Sequence, residues 1–293
     1  MKYIHIIWVA LMAGYCWACS ESSLTPSEPY HNFGADANAT DEETVLRRNF
    51  FEANGFYIIF NDTISKEYIG KDNDGKPLYK TETVDPAWSF YDKDTYTDYE
   101  FTYCSTIEEK KKGADFVSKL VSIMQKHNLT RPYSVLVVNG ITTIREDEYD
   151  GTFISHPDFI NSLRCFIVTL PKDTEDEDQQ YLFVANMAGS GLALKYEGEL
   201  TAFYAQADSR WGSLYEDYHY GDNSLEEFYD LGFLFVTSDQ YYPSKGEDVA
   251  AYMYLLMTKS EEEVYAEFAE NYPKIWTKYQ LMRNVAQKAG IKF

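Results

Sequence analysis

The sequence predicts an α+β fold, a small mixed sheet region followed by a mainly helical region. Three observations predict it. Short apolar runs bounded by turn residues fall before residue 185. From residue 187 to the end, apolar residues recur mostly at helical spacing. Capping patterns mark helix starts in both parts, at Thr40-Asp41-Glu42-Glu43 and at Ser260-Glu261-Glu262-Glu263.

The first pattern opens a helix that runs to about Ala53 and is stopped by Gly55. Residues 56–60, Phe-Tyr-Ile-Ile-Phe, then read as a buried strand. Residues 61–104 are rich in Asp, Lys, Tyr and Gly and suit hairpins and loops, with Asn73-Asp74-Gly75 as a turn. Between Thr106 and His127 the spacing of Phe116, Val117, Leu120, Val121 and Met124 predicts an amphipathic helix. A strand over 134–138 should end at Asn139-Gly140, and a further strand spans 164–170. An acidic, hairpin-like loop over 172–180 leads into a strand at 181–184.

The helical half begins near Met187. Leu192, Tyr196, Leu200, Phe203 and Ala207 share helical spacing. Residues 224–230 form a short helix closed by Gly232. Residues 247–258 are apolar on nearly every side, which predicts a central helix. The capping box at Ser260 starts a helix to about Tyr272, and the last helix spans 274–289 before Gly290.

A formal net charge of −21, from 47 acidic residues against 26 Lys and Arg, argues against nucleic acid as a partner, because phosphate binding needs clustered cations. It also argues against docking on anionic lipid heads. The aromatic content is high, with 26 Tyr and 18 Phe. Tyr can build sugar-stacking or protein-contact surfaces, or simply fill half-buried positions.

The first residues read as an export signal. Met1-Lys2 gives a positive start, and an apolar run over 3–13 is too short to span a bilayer. Cys19 follows Ala18, a small residue that suits cleavage just before a cysteine, whereas Cys16 follows Tyr15. We therefore expect residues 1–18 to be a signal peptide, Cys19 to be acylated and residues 19–39 to form a flexible polar tether. Residues 40–293 form a single domain, and the lipid anchor makes the membrane its first partner. A plain secretory signal with an unmodified cysteine is the alternative. In the body, Cys104 and Cys165 allow either a disulfide or two buried thiols.

The order of segments carries a family resemblance. It runs from the capped helix and the strand at 56–60 through the strand at 134–140 to Trp211. Leu231-Gly232-Phe233-Leu234-Phe235, Gly246-Glu247-Asp248-Val249-Ala250 and a closing helix with Lys278 and Tyr279 follow. This resembles the substrate-import-associated zinc metallohydrolase lipoproteins, a metallopeptidase family. The resemblance implies a zincin-like scaffold, an outer-membrane location and work beside a paired outer-membrane nutrient transporter.

That family binds zinc through His-Glu-x-x-His on a helix, where two imidazoles four residues apart share a face and the Glu acts as base. Here the motif should follow residue 184, where Ala185-Asn186-Met187-Ala188-Gly189-Ser190-Gly191 stands instead. We therefore expect zinc and catalysis to be lost, with no cofactor. The vestigial site is expected to be lined by Asn186, Met187, Gly189, Ser190, Glu247 and Asp248. His31, His127, His156 and His219 are the histidines after the signal, and only His219, with Asp217 and Asp222, sits among plausible ligands. Gly189-Ser190-Gly191 is no nucleophile elbow, because Ala188 stands where Gly-x-Ser-x-Gly needs glycine. Two other readings remain: a hydrolase with an unrecognised site, and a glycan-binding lipoprotein whose Tyr-rich loops at 91–103 and 215–229 stack on sugars.

Overall fold

The computed structural model describes residues 33–86, 96–147, 151–162, 165–207, 210–212, 224–235 and 242–293. Helix α1 (Glu42–Asn54) is capped by Asp41, whose carboxylate accepts the Thr44 N–H at 2.9 Å, so the cap is one residue later than Thr40. It ends at Gly55, held at φ +76°, a conformation that glycine adopts without strain. The sheet strands are β1 (Tyr57–Ile59), β4 (Tyr96–Tyr103), β5 (Ser134–Asp147), β6 (Gly151–Ser155), β7 (Phe159–Asn161) and β8 (Phe166–Thr169). A separate two-stranded ribbon joins β2 (Thr63–Lys71) to β3 (Pro77–Thr83) through the turn at Asn73-Asp74-Gly75.

Strand β5 organises the sheet. Its first half pairs in parallel with β1 and β8, and its second half pairs antiparallel with β4 and β6. It therefore runs through Asn139-Gly140 instead of ending there; Gly140 pairs with Thr102 on β4. A glycine inside a strand pattern marks a turn only when no neighbouring strand holds it.

The strands alternate between two cores, as a period of two requires. Ile58, Val135, Val137, Phe166 and Val168 face the main core, while Ile59, Leu136, Val138 and Ile167 face a smaller one. Helix α2 (Ile107–Lys126) covers the first face, and a Cβ on its Gly113 would lie 2.8 Å from Val137 Cγ1. The second face is closed by Phe33, Ile64 and Val84. Phe33 is 1 % exposed, and Arg47 and Arg48 donate to the carbonyls of Phe33, Asp36, Ala37 and Ala39. The stretch 33–39, expected in the tether, is thus docked on the body.

The helical half contains α3 (Glu177–Lys195), α4 (Thr201–Tyr204), α5 (Leu225–Asp230), α6 (Lys245–Thr258), α7 (Glu261–Phe268) and α8 (Pro273–Lys288). Residues 181–184, expected as a strand, are the second turn of α3. Asp176 caps this helix by accepting the Gln179 N–H at 3.1 Å, and Glu177 and Asp178 complement the positive helix end. A four-residue apolar run does not distinguish strand from buried helix; the cap decides it here. The helix expected over 187–207 is broken at 196–200, beyond the C-terminus of α3. Among the described residues, no helix is long and apolar enough to cross a membrane.

Candidate functional site between the central helices

Helices α3 and α6 are in direct contact. Gly189 lies so close to α6 that a Cβ there would fall 2.7 Å from the Ala250 Cα. The Tyr254 hydroxyl donates to Asp178 at 3.2 Å, so the two helices run antiparallel. The residues expected to line a vestigial site part company here. Gly189 is buried in the contact itself. Asn186 donates to the Leu182 carbonyl at 2.8 Å, and Ser190 to the Asn186 carbonyl at 3.0 Å, both within their own helix. Met187 lines a cavity with residues 128–132 and the C-terminal tail. Glu247 is exposed; its carboxylate accepts the Ser244 N–H at 2.7 Å, and the Ser244 hydroxyl accepts the Glu247 N–H at 3.3 Å. It is the capping-box residue of α6.

Asp248 turns inward. It is 1 % exposed, and both carboxylate oxygens contact Lys278 Nζ, at 2.6 and 2.7 Å. The Trp211 indole N–H donates to Oδ2 at 2.9 Å. Lys278 is fully buried and also donates to the Gly232 carbonyl at 2.8 Å, which accepts the Tyr252 hydroxyl at 2.9 Å as well. Gly232 sits at φ +83°, and a Cβ there would meet Lys278 Cδ at 3.1 Å. The ammonium is walled by the rings of Phe203, Tyr252 and Phe233, whose centroids lie 4.4, 4.8 and 5.1 Å away. An ammonium has three N–H bonds, and these contacts use all of them.

Burial pushes the Asp248 carboxyl up and the Lys278 ammonium down from their ordinary values, while their mutual attraction and the Trp211 hydrogen bond oppose this. A charge pair taken out of water persists only when each member is paired and hydrogen-bonded, as here. Trp211 and Lys278 were legible as markers along the chain but not as partners of Asp248. The signal was available: Lys278 lies on the apolar face of α8, between Ile275 and Met282, where an unpaired Lys would be costly.

Around Gly189 the described residues do not fit a zinc site: residues 185–191 carry no imidazole or carboxylate, α6 occupies the space beside Gly189, and the Asp248 carboxylate is already taken. Among the described residues, no group of three or more His, Cys, Asp or Glu is placed to hold a metal ion. His127 is buried at the end of α2 with Nδ1 2.7 Å from the Lys292 carbonyl, and desolvation lowers its pKa. His156 is exposed, with Nδ1 3.3 Å from the Thr142 hydroxyl. His31, Cys19 and the group Asp217, His219 and Asp222 lie outside the described residues, as do parts of both Tyr-rich loops. Cys104 and Cys165 are buried and not joined in a disulfide, which resolves the alternative left open between disulfide and thiols; burial pushes Cys104 up to about 11.

Two hollows adjoin the central helices. A broad open groove of about 740 Å³ lies above the ion pair, lined by Glu197, Tyr204, Trp211, Ser244 and Lys245 among others. Trp211 is its link to the buried carboxylate. Burial and the nearby Asp248 push Tyr204 up to about 12, so its hydroxyl stays protonated. The second hollow, of about 330 Å³, lies between α3, the loop after α2 and the C-terminal tail. No family model, curated protein or solved structure matches this chain.

Proposed function

We propose that this chain is a cell-envelope lipoprotein with a zincin-like, metallohydrolase-type scaffold that has lost zinc and catalysis. It acts as a surface binding or accessory protein in nutrient import, anchored at the outer membrane through Cys19. The observation that carries the reading is the saturation of Asp248. Its carboxylate is buried and fully committed to Lys278 and Trp211, so neither water nor a substrate nor a metal can reach it. The scaffold part is supported by convergence. Trp211, Gly232, Asp248 and Lys278, drawn from the four segments of the resemblance in the last third of the chain, meet at one point.

The test is elemental analysis of the purified protein with and without chelator. We expect no stoichiometric zinc, no fall in melting temperature on chelation and no peptide cleavage. Bound zinc with loss of stability on chelation would overturn the reading and direct attention to His219 with Asp217 and Asp222. For the anchor, replacing Cys19 with Ser should release the protein from the membrane fraction. A variant that still pellets with membranes would refute it.

A further inference from the structure

The hollow beside α3 has a chemical character opposite to that of the chain. It lies between the second half of α3, the 128–132 loop, Phe166 of β8 and the tail at Ala289 and Ile291. Its volume of about 330 Å³ is at the small end of the range for small-molecule sites. The lining is apolar at Met187, Leu192, Phe166 and Ile291, and it carries two cations, Arg131 and Lys195. No carboxylate is among its described lining residues, although the chain has 47 acidic residues and a net charge of −21.

Among the described residues, neither cation is neutralised by a carboxylate. Elsewhere the basic residues near acids are paired: Lys110 with Glu43, Lys259 with Glu267, Lys278 with Asp248, Lys288 with Glu199. Arg131 and Lys195 have no carboxylate partner among the described residues. Arg131 is placed by one guanidinium N–H donated to the Asn54 carbonyl, and the Lys195 ammonium lies 5.4 Å from the Tyr196 ring centre. The walls are also fixed. Lys292 N–H donates to the His127 carbonyl at 3.0 Å, and the Asn128 side chain donates to the Gly290 carbonyl at 2.8 Å, which pins the tail to the loop.

We propose that this cavity binds a small amphipathic monocarboxylate, an apolar chain ending in one anionic head. Arg131 and Lys195 take the carboxylate by charge-assisted hydrogen bonds, and the apolar wall takes the chain. The proposal rests on reading the chain as a binding protein and supplies that protein's ligand class. It is independent of the zinc question, so its failure leaves the loss of catalysis standing.

The test uses the full chain and calorimetric titration with octanoate, octanol and octylamine below their micelle concentrations. Octanoate should bind, octanol at least tenfold more weakly, and octylamine not detectably. Combined Arg131→Gln and Lys195→Gln should weaken octanoate at least tenfold in protein that still unfolds in a single cooperative transition. Gly191 lines the cavity, and a Cβ added there meets no atom within 4 Å. Gly191→Leu should therefore fill the cavity and abolish binding while the fold is kept. Equal binding of octanoate and octylamine, or undiminished binding by Gly191→Leu, would overturn the proposal. A parallel arm with phosphatidylglycerol vesicles separates a free carboxylate from a lipid source. Binding to vesicles but not to octanoate would also overturn it.

Discussion

The basic side chains around α3 and α6 do two different things. Lys278 lies in the interior with every N–H satisfied and its charge balanced by Asp248. Arg131 and Lys195 line an open cavity with no carboxylate among its described lining residues. Burial lowers the pKa of Lys278, yet its ammonium has no capacity left for a ligand. A displaced titration marks an unusual environment, and whether that environment is a site depends on access and on unspent donors. The same contrast holds for two glycines of α3: Gly189 is closed over by Ala250, and Gly191 opens on the cavity.

The largest effect should come from breaking the interior pair. Asp248→Ala or Lys278→Met alone should each destabilise the fold by about 3–5 kcal/mol in chemical denaturation, because each leaves an unpartnered group in an apolar setting. Joining Asp248→Leu with Lys278→Met should cost less than either single change. If the double variant costs the sum of the two, the pair is not an isolated buried ion pair and the contrast with the cavity cations weakens.

The glycines give the next effect, with opposite signs. Gly189→Ala places a methyl within 3 Å of the α6 backbone and should cost about 1–3 kcal/mol. Gly191→Ala meets nothing and should stabilise by about 0.5–1 kcal/mol through helix propensity. Paired melting curves would check both. Equal effects would mean that α3 does not lie on α6 as described.

The smallest effect concerns a surface cap and sets the scale for exposed charge. Glu109 accepts the N–H groups of Ser105 and Thr106 at 2.7 and 3.0 Å, which hold its carboxyl down at about 2 from the ordinary 4.5. A depressed acid stabilises the fold above its ordinary value and loses that contribution as pH falls through the folded value. The melting-temperature gap between the natural chain and Glu109→Gln should therefore be full above pH 5. It should close as pH falls from about 4.5 towards 2. A gap that is constant with pH would show that the cap acts through shape and not charge.

Much of the secondary structure was legible because its causes are local. The capping box at Ser260, the stops at Gly55, Gly232 and Gly290, and the amphipathic spacing of α2 each involve residues within a few positions of one another. Residues 181–184 resemble a strand for the same reason: four apolar residues carry no period of their own, and the deciding cap, Asp176, lies upstream. The continuation of β5 past Gly140 is not legible locally, because it depends on pairing with β4, far earlier in the chain.

The sequence by itself determined the α+β class, several helix starts and stops, and the absence of a His-Glu-x-x-His motif. Only the tertiary structure decided that Asp248 meets Lys278, 30 positions away, and that Glu247 beside it caps a helix in solvent. Adjacent residues on a helix point about 100° apart, so which of the two carboxylates is buried depends on the face that α6 turns to α8 and α3. The cavity has the same origin. Arg131, Met187, Lys195 and Ile291 come from three separate stretches, and only the docking of the tail against the loop brings them around one space.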